Sequence, residues 1–139
     1  MQVNQGASVI LTQPAFDLDA LDSWLVDAER KGLTSAAKIL IGMPFISSPG
    51  NLAFWLALAS CTGNPASQKL LGEIQRAAAE SKSQLASFCR QYNRNLAARL
   101  LRSPGVSGLH VMPITPVAKQ MVLESLGDLR YDNFRGSVG

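Results

Sequence analysis

The sequence predicts an α/β fold built on a parallel sheet, and three observations carry that expectation. Three short apolar runs, V-I-L at 9–11, K-I-L-I-G at 38–42 and G-L-H-V-M at 108–112, each stand in or near glycine. Their apolar character is continuous, as expected of strands covered on both faces, where a half-exposed strand would alternate. Helical periodicity fills the intervals, and strands alternating with helices form βαβ units. With 139 residues, the chain has the length of one ordinary domain.

The elements follow in order. After the first run, Asp17 can cap a helix in which Leu18, Leu21, Leu25 and Ala28 recur at spacings of three and four, with Gly32 as its stop. The second run leads into Ser47-Ser48-Pro49-Gly50, which reads as a flexible loop, and a helix then begins near Asn51 with Leu52, Trp55, Leu56 and Leu58. Another helix follows Pro65, carrying Leu70, Leu71 and Ile74 on one side. The longest stripe spans 82–102 through Leu85, Phe88, Cys89, Tyr92, Leu96, Leu100 and Leu101. Beyond the third run, Thr115-Pro116 pairs an N-cap with proline at the first helical position, and Gly127 ends that helix. The expected order is β-α-β-α-α-α-β-α, with residues 1–127 as the folded body and 128–139 as an irregular tail. The first two strands lie about 30 residues apart, close to the repeat of an eight-stranded βα barrel.

Composition narrows the function classes. Apolar residues make up 47% and charged residues 17%, a globular balance. The net charge of +3 is scattered, Arg90, Arg94, Arg99 and Arg102 being its densest group, which argues against nucleic acid as a partner. The longest apolar stretch, Leu52 to Cys61, is far short of the roughly 20 residues a membrane span requires. Cys61 and Cys89 have no CxxC spacing, and no leader pattern precedes them, so the expectation is two free thiols in the cytoplasm. No histidine or cysteine pair suggests a metal site.

In α/β folds the chemistry sits at the carboxyl ends of the strands. Here the tips are Thr12-Gln13-Pro14, Met43-Pro44-Phe45 and Met112-Pro113-Ile114-Thr115-Pro116, each placing proline at the strand's exit. Proline lacks an N–H and restricts the residue before it, which is reason enough for a strand to stop there. Gln13 asks for more. A glutamine offers two donors and an acceptor at one tip, a set suited to the edge of a polar heterocycle. The other candidates have plainer readings. His110 reads as a hydrogen-bonded core group and Trp24 and Trp55 as packing. Asp17 and Asp19 suit a helix N-terminus, and Asp22 and Asp27 a solvated face.

Taken together, G-A-S-V-I-L-T-Q-P-A-F-D, I-L-I-G-M-P-F-I-S-S-P-G-N-L and G-V-S-G-L-H-V-M-P-I-T resemble the carboxyl-terminal portion of the methylenetetrahydrofolate reductase family, over about residues 5–127. That family is a flavin-dependent βα (TIM) barrel whose late strands carry a G-A-x-x-x-x-T-Q-x-x-F-D block, a G-I-x-P block and a G-x-H block in this order. The resemblance implies a partial barrel, its last three parallel strands with intervening helices. It implies that Gln13 hydrogen-bonds the pterin-like ring of a folate. Phe45 and Leu52, the latter near a position that is often aromatic in the family, would border its aminobenzoyl part. Thr12, Met112 and Thr115 would line the FAD and folate site. The family's acid carboxylate and most of its flavin-binding groups belong to earlier strands and have no match in this sequence. The implied activity is reduction of 5,10-methylenetetrahydrofolate to 5-methyltetrahydrofolate with a nicotinamide donor, and it requires the remaining strands. The implied partner is therefore those missing strands or a second copy of the chain. Two other functions fit the same residues: a non-catalytic α/β association module, and a folate-dependent methyl-transfer protein that uses no flavin.

Overall fold

A computed structural model describes residues 9–14, 16–112, 119, 120, 122 and 123. The elements are β1 (Val9–Pro14), α1 (Leu18–Arg30), α2 (Leu33–Ala36), β2 (Lys38–Pro44), α3 (Pro49–Leu58), α4 (Pro65–Glu80), α5 (Lys82–Leu101) and β3 (Gly108–Met112). Residues 119, 120, 122 and 123 are helical, while the expected Thr115-Pro116 start and the 128–139 tail lie outside the described residues. No helix of the described residues is long and apolar enough to cross a membrane.

The strands form a parallel sheet in the order β1-β2-β3, so consecutive strands are neighbours. This is the arrangement of successive βα units, and the α/β class read from the sequence holds. Two differences concern length. Pro14 and Pro44 are the last residues of their strands instead of the first residues beyond them. A strand tolerates proline at its end because only one ladder hydrogen bond is forgone there.

The four longer helices, α1, α3, α4 and α5, each start at a side-chain cap. Asp17 accepts from the Ala20 N–H (3.0 Å), Asn64 from Ala66 (2.9 Å) and Ser81 from Gln84 (3.0 Å). Ser48 caps α3 by accepting from the Asn51 N–H (3.0 Å), with Pro49 at the first helical position, and Asn51 reaches back to the Ser47 N–H (3.1 Å). The S-S-P-G stretch read as a flexible loop is thus the helix's entry. After α1, Gly32 turns the chain with φ +79°, a conformation that favours glycine. The four-residue α2 that follows had no sequence-based expectation.

The sheet has one face covered along its length and one left largely open. Ile39, Ile41 and Met43 of β2 point into a cluster with Leu25 and Ala28 of α1, Leu33 of α2, and Leu96, Ala97 and Leu100 of α5. Leu109 and Val111 of β3, in register with Ile41 and Met43, join the same side. The alternate residues, Val9 and Leu11 of β1, Leu40 and Gly42 of β2, and Gly108, His110 and Met112 of β3, share the opposite face by register. At the strand tips Pro44 is fully buried and Met112 packs against the cluster of Ile46, Leu52 and Trp55, but elsewhere this face is open, with Val9 and Leu11 42% and 57% exposed. His110 is exposed there, a correction to its core reading: the strand is apolar on both sides, but only one side is packed along its length.

Asp22 also departs from its solvated-face reading. It pairs with the Arg99 guanidinium, which donates to Ser103 Oγ at 2.8 Å, and this tie joins α1 to α5. Asp27 does remain near the surface, where a hydrogen bond from Lys31 (2.9 Å) holds its carboxyl below the usual range.

Candidate functional site

The register of β1 breaks between Leu11 and Pro14, leaving an extra residue at the tip. At this bulge the Gly42 N–H finds the Thr12 hydroxyl, 3.0 Å away, while that hydroxyl donates to the Gln13 carbonyl at 3.1 Å. Thr12 therefore repairs the ladder where β1 slips, and its proton and one lone pair are used within the sheet. The slip also crowds Gly42. A Cβ there would stand 2.7 Å from the Thr12 carbonyl oxygen and 2.9 Å from the Met112 methyl. Gly42→Ala is expected to destabilise the protein by about 1–3 kcal/mol through overpacking against backbone. Urea unfolding measures it, and a change within about 0.5 kcal/mol would contradict this geometry.

Gln13 lies exposed just beyond, and its carboxamide has no partner among the described residues. It borders a cavity of about 490 Å³ that runs from β1 to the first half of α1. Phe16, Leu21 and Trp24 supply its apolar wall, and Asp17, Thr12 and Cys61 its polar groups. Trp24, read from the sequence as packing, is 39% exposed along this wall. Asp17 is already committed to capping α1, so Gln13 is the uncommitted polar group nearest the strand tip. A planar ligand with a donor and an acceptor on one edge fits that combination of amide and aromatic surface.

Phe16 also borders a smaller cavity of about 190 Å³, with Ala66, Ser67, Leu70 and Tyr92. Burial pushes the Tyr92 hydroxyl up to about 12 and the Cys89 thiol up to about 11, so both are protonated at neutral pH. Both cysteines are free.

The remaining sequence candidates fall elsewhere. Phe45 and Leu52 are 0% exposed and sit in two different clusters. Phe45 packs with β2, α1 and α5, while Leu52 packs with Ile46, Trp55, Leu56, Ile74 and Cys89. Neither side chain presents surface to a ligand as the chain stands. Met112 is partly buried against that second cluster, with its methyl across Gly42. Thr115 lies outside the described residues. The structure thus brings Gln13 and Thr12 together at one cavity and leaves Phe45 and Leu52 in the core.

One residue that the sequence reading passed over controls this end of the sheet. Asn93 of α5 is fully buried, and its side chain grips the backbone of Ile46, accepting from the N–H (3.0 Å) and donating to the C=O (2.8 Å). It fixes the chain just past the tip of β2. The available signal was an asparagine at helical spacing from Cys89, Leu96 and Leu100 of the apolar stripe. Comparison with protein-family models, curated proteins and solved structures finds no match for this chain.

Proposed function

We propose that the chain is the carboxyl-terminal sector of a flavin-dependent βα barrel of the methylenetetrahydrofolate reductase type, acting with a sector that supplies the remaining strands. The observation that carries this reading is the placement of Gln13: an exposed, uncommitted carboxamide at the tip of the first of three consecutive parallel strands, bordering an aromatic-walled cavity. The largely open sheet face supports it as well, because in a closed barrel that face lies inside. In this reading Gln13 donates to and accepts from the edge of the pterin-like ring, and Trp24 and Phe16 provide apolar surface beside it. A reducing cytoplasm suits the two free thiols.

The residues assigned to FAD do not by themselves hold it. The Thr12 hydroxyl is engaged in the ladder and the Met112 methyl lies across Gly42. The flavin and the nicotinamide donor are therefore assigned to the completing sector, and no step is routed through them.

The test is co-expression with the amino-terminal strands of a methylenetetrahydrofolate reductase. The pair is expected to bind folate and to catalyse flavin-dependent reduction of the methylene group. In the pair, Gln13→Ala is expected to weaken folate binding about tenfold to a hundredfold, the equivalent of about 1–3 kcal/mol for an unsatisfied polar edge, with flavin content unchanged. Loss of the fold on that substitution would make Gln13 structural. A second reading, a non-catalytic association module, is favoured by one observation, the exposed Val9 and Leu11 on the sheet's first strand. It predicts a stable assembly without folate binding.

A further inference from the structure

The smaller cavity carries an inference that does not depend on the folate reading. Its lining divides into an apolar wall, Phe16, Ala66 and Leu70, and two hydroxyl-bearing residues, Ser67 and Tyr92. Ser67 is 7% exposed and Tyr92 is partly buried against both core clusters, yet neither hydroxyl has a partner among the described residues. Buried polar groups are ordinarily satisfied, so two open hydroxyls at one cavity leave room for a single partner to serve both. Burial alone pushes the Tyr92 hydroxyl up to about 12, so it remains a donor at neutral pH. The cavity also lies at the amino end of α4, whose 16 residues give it a full helix dipole. There the Asn64 side chain accepts from the Ala66 N–H and the Asn64 carbonyl from the Gln68 N–H. The Ser67 N–H between them has no acceptor among the described residues. None of the lining residues is acidic, and Asp17, next to Phe16, is committed to capping α1.

We propose that this cavity binds a short-chain monocarboxylate. Its carboxylate oxygens accept from the Ser67 and Tyr92 hydroxyls and from the Ser67 N–H, and its alkyl chain lies against Phe16 and Leu70. Three donors at the positive end of a helix dipole favour an anion, since a carboxylate that accepts two or three such bonds keeps its charge when buried. The apolar wall decides which anion. Phosphate or sulfate is polar on every side and would set charged oxygens against Phe16 and Leu70. A carboxylate with a short alkyl tail satisfies both parts of the lining. The volume of about 190 Å³ agrees with this size, because a cavity of about 150 Å³ already accommodates a six-carbon ring.

Titration of the full chain with sodium butyrate, followed by amide NMR against sodium chloride of equal ionic strength, tests this. A saturable shift of the Ser67 amide is expected, with a Kd of about 1 mM or tighter. Ser67→Ala and Tyr92→Phe are each expected to raise that Kd about tenfold or more, and Gln13→Ala, at the other cavity, to leave it unchanged. Neither hydroxyl has a partner among the described residues, so the unliganded variants are expected to keep their Tm. A hydroxyl that merely held the fold would lower Tm and leave the Kd alone. That outcome, a variant that fails to fold, the absence of saturation, the same shifts from chloride or inorganic phosphate, or equal binding of neutral butyramide would overturn the proposal. The two readings fail separately: loss of butyrate binding leaves the Gln13 assignment standing, and a pair without folate binding leaves this cavity's ligand in place.

Discussion

Phe45→Ala is expected to lower the stability of this protein by about 3–5 kcal/mol, the range for removing a buried aromatic ring and leaving its cavity behind. Phe45 is 0% exposed and touches a cluster contributed by α1, α2, β2 and α5. The surrounding side chains belong to four different elements, so the gap cannot close by moving one of them. Against a typical total of about 5–15 kcal/mol, this loss could leave the native state barely populated. Urea unfolding followed by far-ultraviolet circular dichroism provides the measurement. The substitution also separates two roles for the residue. A ligand-facing ring would lose folate affinity with stability nearly intact, whereas a core ring loses stability first, and the burial predicts the second.

Asn93→Leu is expected to cost about 3 kcal/mol for a different reason. Leucine matches asparagine in side-chain heavy-atom count and branching, so no cavity forms, and the loss combines the hydrogen bonds with some overpacking by the bulkier methyl groups. Two buried backbone groups, the N–H and C=O of Ile46, would lose their partners. Leaving a buried polar group unsatisfied costs about 1–3 kcal/mol each. The effect should also be directional in space. Ile46 follows the β2 tip, so amide exchange is expected to quicken around 45–48 before it quickens elsewhere in the sheet. A stability change within about 0.5 kcal/mol would contradict the grip as described.

The strands and long helices were legible because each combines a local apolar pattern with a local stop. Asp17, Asn64 and Ser81 sit at helix starts where their side chains find the N–H groups they cap, and Gly32 takes the positive φ its place requires. The four-residue α2 was illegible because L-T-S-A is too short to show a helical period. His110 was misplaced by a sound rule applied too far: a continuous apolar run implies two covered faces, and this sheet covers only one along its length. The Asp22–Arg99 tie joins residues far apart in the chain and leaves no local trace in the sequence.

The candidate site was legible in part for the same reasons. Gln13 stood out because a large amide at a strand tip needs partners, and the tip does border the cavity. Phe45 follows the tip of β2 and Leu52 lies on α3 beyond it, and the chain, held at Ile46 by Asn93, carries both into the core. Trp24 was read as packing because it stands in a helical stripe. Its exposure follows from the open edge of β1 beside it, a property of the sheet and not of the helix.

The central claim, that Gln13 holds a folate ring in a barrel completed along the β1 edge, meets its most direct test in one assay. The chain, co-purified with the amino-terminal strands of a methylenetetrahydrofolate reductase, is supplied with a nicotinamide donor and 5,10-methylenetetrahydrofolate. Formation of 5-methyltetrahydrofolate by a yellow, flavin-bearing pair, diminished in Gln13→Ala with the flavin retained, is the predicted result. A well-folded pair that neither binds folate nor turns it over would contradict the account.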